Sequence, residues 1–250
     1  MGLLRKLIKG VTSMTSTQDT KDIILPSIVN KNKAMVTLKI SNPNGENTTT
    51  VNASNYMIIG EINAAGDTLT ISRARHTDQA MNINYQIWYF KNATVTHGST
   101  VIDNVNKEVI LSSYTANKTF SVFTMKGDRA WAANNAAYLC ILHRAYNNGS
   151  NNVLNLKGNL SAGTMTAYYQ IVECQDFTVD RYDVSITSAS SYDLTLSPSV
   201  TMSKTICMLS NYYASSIGLS KLKCGRLYDA STFRFYSFAA VTSDHNLYII

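Results

Sequence analysis

Met81-Asn82-Ile83-Asn84-Tyr85-Gln86-Ile87 alternates apolar and polar residues without a break. That period of two is the signature of a strand with one packed face and one wet face. Its last three residues recur along the chain, as Tyr85-Gln86-Ile87, Tyr169-Gln170-Ile171 and Tyr248-Ile249-Ile250. Tyr85 to Tyr169 is 84 residues and Tyr169 to Tyr248 is 79. A second landmark gives nearly the same period. An acidic residue opens a short aliphatic run ending in Leu, with a Lys seven or eight residues further on. It occurs as Asp22–Leu25 with Lys33, Glu108–Leu111 with Lys118, and Asp193–Leu196 with Lys204. Lys33 to Lys118 is 85 residues and Lys118 to Lys204 is 86.

Further landmarks keep the same order. The alternating triplets Leu69-Thr70-Ile71, Leu154-Asn155-Leu156 and Phe233-Arg234-Phe235 end 14, 13 and 13 residues before the anchoring tyrosines. Arg144-Ala145-Tyr146 matches Arg226-Leu227-Tyr228, whereas the first segment carries Gly60-Glu61-Ile62 nearby. Between the strand-like runs lie turn clusters such as Ser41-Asn42-Pro43-Asn44-Gly45 and Asn147-Asn148-Gly149-Ser150, which supply tight-turn chemistry. The expectation is an all-β chain of three tandem small β-sandwich repeats, each about 80 residues, at 12–93, 94–178 and 179–250. The repeats are expected to bury little surface against one another across short linkers.

Residues 1–11 form a short N-terminal amphipathic segment. If helical, Leu3, Leu4, Leu7 and Ile8 share one face and Arg5, Lys6 and Lys9 another. Ten residues make a marginal helix alone, so a partner surface is required. That surface is the first repeat or a neighbouring subunit, a larger assembly to which these residues attach the chain, or a membrane surface.

The rest of the composition narrows function. Three units of the net charge of +6 sit in Arg5, Lys6 and Lys9, and no basic stripe interleaved with aromatics follows, which speaks against nucleic acid. No apolar run reaches the length of a membrane-spanning helix, and Met1–Gly10 is too short and charged for a secretory signal. Cys140, Cys174, Cys207 and Cys224 contain no C-x-x-C pair, a poor match to metal or redox motifs. His76, His97, His143 and His245 form no paired motif, so the reading is non-catalytic, with no cofactor and no metal. His97 and His143 read as exposed or hydrogen-bonded bystanders, and Asp176, Asp180 and Asp183 as a solvated acidic linker. Trp131, Tyr146, Tyr212, Tyr213 and Tyr228 are the aromatic candidates for surface binding, since exposed aromatics serve sugars as well as interfaces.

Val109–Leu111, Lys118–Val122, Arg144–Tyr146 and Tyr169–Glu173 together resemble the repeat unit of a loose group of virion proteins of tailed bacteriophages. The resemblance covers most of residues 12–250 and departs at the missing Arg of the first repeat. It implies a multimeric structural protein of the virion, made in the host cytoplasm, whose partners are itself and other capsid, neck or tail proteins. Head decoration, a neck or tail accessory role and a fibre all fit it. The alternative it leaves open is an adhesin module of a tail fibre that binds host-surface glycans.

Overall fold

The computed structural model describes residues 4–41, 57–73, 80–102, 106–127, 141–158, 164–212 and 224–250. They form an all-β protein of sixteen antiparallel strands and three single turns of 3-10 helix. The strands are β1 (Leu4–Met14), β2 (Thr20–Ile24), β3 (Ala34–Ser41), β4 (Ile58–Ile62), β5 (Thr68–Arg73) and β6 (Met81–Phe90). Then come β7 (Ala93–Ile102), β8 (Asn106–Ile110), β9 (Thr119–Gly127), β10 (Ile141–Asn147), β11 (Asn152–Gly158) and β12 (Met165–Cys174). The last are β13 (Asp180–Thr195), β14 (Cys207–Tyr212), β15 (Cys224–Asp229) and β16 (Thr232–Ile249). Among the described residues no helix is long and apolar enough to cross a membrane.

One pairing order occurs three times. A first sheet reads β1-β6-β3, then β7-β12-β9, then β13-β16-β14. A second reads β2-β5-β4, then β8-β11-β10, and in the last stretch β15 joins the far half of β16, whose other side pairs with the far half of β13. There the two sheets share continuous strands, and register shifts between Ile186 and Ser191 carry the chain from one sheet to the other. Bulges are the usual device for such a turn between sheets.

The landmark residues have local reasons. Each 3-10 turn ends on a landmark lysine: Lys31–Lys33, Ala116–Lys118 and Met202–Lys204. The same backbone bond closes all three, from Lys33 N–H to Asn30 (2.9 Å), Lys118 N–H to Thr115 (2.9 Å) and Lys204 N–H to Thr201 (2.8 Å). Lys118 Nζ then donates to the Phe177 carbonyl at 2.6 Å, as Lys33 Nζ does to that of Lys91 at 3.3 Å, tying the turn to the segment that leaves the closing strand. The acidic landmarks sit opposite polar residues. Asp22 accepts from Thr70 Oγ1 (2.6 Å), Glu108 from the Tyr146 hydroxyl (2.7 Å), and Asp193 from Arg234 Nε and Nη2 (2.7 and 2.8 Å). The Arg234 bonds hold the Asp193 carboxyl below the usual range. These exposed pairs contribute little to stability but fix which residue faces which.

Two corrections concern the ends. Leu4–Lys9 is the start of β1, paired with β6 from Leu4 to Met14, and not a helix. Ile8 and Met14 point into the core (4% and 0% exposed), while Arg5, Lys6, Leu7 and Lys9 are exposed. A helix there would satisfy its own backbone but leave one flank of β6 unpaired, and ten ladder pairings outweigh a weak local preference. The boundary between residues 11 and 12 therefore falls inside a strand. At the other end the match is shifted by one. Val36 lies three residues after Lys33 and opposite Ile87, and Cys207 lies three after Lys204 and opposite Ile249. So Leu247-Tyr248-Ile249, and not Tyr248-Ile249-Ile250, corresponds to Tyr85-Gln86-Ile87.

The described chain forms two compact units. One comprises Met1–Asp103, Ser121–Ala133 and Ala162–Asp176, and the other Asn104–Phe120, Asn134–Ser161 and Phe177–Ile250. In the first, Ile8, Val36, Ile83 and Ile87 from one sheet meet Ile58, Ile62, Leu69 and Ile71 from the other in one apolar core. In the second, Val184, Ile186, Leu247 and Ile249 meet Leu196, Phe233 and Phe235. The sheet β7-β12-β9 belongs to the first unit, apart from the first two residues of β9, and β8-β11-β10 to the second.

One inward cross-strand pair shows how side-chain volume is shared. Gly10 faces Tyr85 and Gly98 faces Tyr169, and a Cβ on either glycine would lie 2.3 or 2.2 Å from the tyrosine oxygen. At the matching place in the last stretch the sizes are exchanged, with Tyr182 opposite Leu247. Overfilling such a slot costs about 1–3 kcal/mol. Gly10→Ala is expected to lose that amount in denaturant unfolding, and Tyr85→Leu in the same chain to recover most of it. The coupling of the two changes in a double-mutant cycle is the measurement that checks the shared slot.

Candidate functional site

The side chains that stand out chemically are buried polar groups aimed at a neighbouring backbone. On β12, Tyr168, Gln170 and Val172 point outward from the sheet β7-β12-β9, yet Gln170 is 5% exposed. Its amide Nε2 donates to the Val36 carbonyl at 2.8 Å, and its Oε1 accepts from Val36 N–H at 2.7 Å. Val36 lies on β3, the edge strand of its sheet. One glutamine amide thus closes both outward backbone groups of an edge residue as a further strand would. Beside it, His97 Nε2–H donates to the Lys31 carbonyl at 2.9 Å, which fixes that nitrogen as the protonated one. Burial lowers the pKa of His97, so the ring is neutral near pH 7.

The second unit repeats the device with other residues. Ala145 lies on β10, the edge strand of β10-β11-β8. Its N–H donates to the Tyr248 hydroxyl at 3.2 Å, and its carbonyl accepts from Arg181 Nη1 at 2.9 Å. Two residues earlier, His143 N–H donates to Ser210 Oγ at 3.3 Å. By register, Tyr248 stands where Gln170 stands, and Arg181 where His97 stands. Ile171 faces Thr96 and Ile249 faces Asp180, so the pairs His97–Gln170 and Arg181–Tyr248 follow directly. In these contacts Gln170, Tyr248 and Ser210 are almost fully buried, while His97 is half-buried and Arg181 exposed.

What these junctions can do chemically is limited. A cleft of about 120 Å³ follows the first junction, lined among others by Lys31, Glu61, His97, Thr124, Tyr168 and Gln170. Small-molecule pockets run to about 300–1,000 Å³, so this cleft is well below their usual size. Burial, then Glu61, raises the Tyr168 phenol above its ordinary value, away from use as a base near neutral pH. Of the exposed and hydrogen-bonded readings of His143, burial removes the exposed one, since it is 4% exposed within β10. Among the described residues no three His, Cys, Asp or Glu side chains converge as metal ligands. Asp176 accepts from Asn92 at 2.9 Å, and Asp183 pairs with Arg181 at 3.6 Å.

The sequence candidates are placed as follows. Lys6 Nζ donates to Ser27 at 2.7 Å, Arg5 lies 5.5 Å from the Tyr89 ring centre, and Leu7 and Lys9 face outward from β1. Leu3, Trp131 and Tyr213, and the side chain of Tyr212, lie outside the described residues. Tyr146 follows Ala145, which faces Leu154, and Tyr228 follows Leu227, which faces Phe233, and each lies beside a landmark side chain. Tyr146 bonds Glu108, and Arg234 stacks on Tyr228 at 3.9 Å, leaving it 52% exposed. Gln170, His97, Arg181, Tyr248 and Ser210 carry the junctions and were not singled out as site residues. One signal was available for Gln170: the same glutamine precedes Ile at positions 86 and 170. Comparison with protein-family models, curated proteins and solved structures finds no match to this chain.

Two outcomes follow. Gln170→Ala leaves both Val36 groups buried without partners, at about 1–3 kcal/mol each. Denaturant unfolding should show a loss of at least about 2 kcal/mol, where an exposed Gln→Ala change would cost a few tenths. Burial also pushes the His143 imidazole down to about 3 from 6.5. Between those values the unfolded chain takes up a proton that the folded chain does not. Stability present above pH 6.5 is therefore lost as pH falls toward 3. His143→Gln is expected to flatten the fall in melting temperature between neutral pH and about pH 4, measured beside the wild type.

Proposed function

We propose that the chain is three tandem copies of one small β-sandwich unit, and that it serves as a non-catalytic structural component of a tailed-bacteriophage particle. The copies correspond to β1–β6, β7–β12 and β13–β16. Head decoration and a neck or tail accessory position are the roles in view, with the protein present in multiple copies beside other virion proteins. The observation that carries the reading is the pair of backbone clamps at Val36 and Ala145. Buried polar chemistry is spent on fixing one copy to the copy before it, as in solenoid arrays whose repeats stabilise one another through nearest-neighbour contacts. The bacteriophage setting rests on the resemblance of the landmark motifs.

Quantitative mass spectrometry of purified particles from the phage that encodes this chain tests the proposal. The chain is expected at many copies per particle, and labelled antibody fragments should mark one region of head, neck or tail. Its absence from purified particles overturns the virion role. Saturable binding on a glycan array, lost on Tyr228→Ala, would replace the scaffold reading by the adhesin.

A further inference from the structure

We infer that this protein associates head to tail with copies of itself, through the outer face of β1 and β6 in one chain and the edges of β14 and β15 in the next. The inference rests on the three-copy part of the proposed function. It starts from a difference in burial between matching positions. Gln170 is 5% exposed and Tyr248 2%, each covered by the copy before it, whereas Gln86 is half-exposed. Lys9, which matches His97 and Arg181 and pairs with Gln86, is exposed. Around them Leu7 and Val11 are 41% and 68% exposed on the same face of β1. The first copy thus presents the docking face of the second, down to the same glutamine.

The third copy presents the complement. Val36 and Met35, which receive the second copy, are each 1% exposed, while the matching Cys207 and Ile206 are half-exposed. Ile206 exchanges both backbone bonds with Ile250, at 2.8 and 2.9 Å. In an antiparallel ladder the neighbouring residue then turns its N–H and C=O away from the partner strand. Cys207 therefore offers the two groups that Val36 gives to Gln170. Met202, at the matching turn, corresponds to Lys31, whose carbonyl receives His97, and is 47% exposed. On the adjacent edge, Gly225 and Leu227 match His143 and Ala145 and are half-exposed, against 4% and 7%.

In the next chain's frame, the Gln86 amide closes on the Cys207 backbone, Lys9 donates to the Met202 carbonyl, and Leu7 and Val11 cover the apolar edge. The two surfaces differ, so the contact is heterologous. Successive chains then add in one direction, into a ring if the rotation closes and a filament if it does not.

Sedimentation velocity on the full chain, read as a function of concentration, tests this with two variants. A head variant carries Lys9→Glu and Gln86→Glu, and a tail variant carries Met202→Arg, all at positions outside the core. The wild type is expected to grow beyond a dimer as concentration rises. Each variant alone should weaken association by about tenfold or more. The equimolar mixture should stop at a dimer, because one good head meets one good tail. A wild type that stays monomeric overturns the inference, as do variants that associate like the wild type or a mixture that fails to complement. A monomeric wild type in which Gln170→Ala still costs its expected stability would remove self-association and leave the three-copy reading standing.

Discussion

An edge strand buried against another body must have its outward N–H and C=O groups satisfied, because each one left without a partner costs on the order of a kilocalorie or more. Every other feature of the junctions in this protein follows from that requirement. A strand could have been added to β3 or β10, but that would merge sheets and fix their relative twist. Here the groups are met by side chains instead. A glutamine amide does it alone at Val36, while tyrosine and arginine share it at Ala145. The side-chain solution lets a flat sheet face be laid against an edge, which strand addition cannot do.

The same requirement shows why some of the fold was legible in the sequence. The alternation in Met81–Ile87 and the triplets Leu69–Ile71, Leu154–Leu156 and Phe233–Phe235 are inward-facing patterns set by each core alone. The landmark lysines and two of the acids were legible too, since each lysine closes a turn on the residue three before it, and Asp22 and Asp193 act directly across a strand pair. The N-terminal segment was misread because Leu3, Leu4, Leu7 and Ile8 also fit a helical face. What decides it is the open flank of β6, some 80 residues away and invisible to local pattern.

The junctions themselves were the least legible. Tyr248 and Arg181 do the work of Gln170 and His97 with different chemistry, so no shared motif links them. Tyr248 even supplied a false anchor, because its tyrosine imitates Tyr85 while standing at the position of Gln86. Volume exchange hid another correspondence. The bulky ring lies on the closing strand at Tyr85 and Tyr169 but on the opening strand at Tyr182, so single-strand comparison sees a mismatch where the pair is maintained.

The differing clamps have a consequence for how such a chain can change. Copies joined by one identical contact could be shuffled, lost or duplicated by recombination without harm. Here an arginine and a tyrosine from β13 and β16 meet the alanine edge of β10, and a glutamine and a histidine from β12 and β7 meet β3 and the turn before it. An arginine and a tyrosine set against β3 would meet a seat made for an amide and an imidazole. Which strand can be laid on which edge is thus written into the seams.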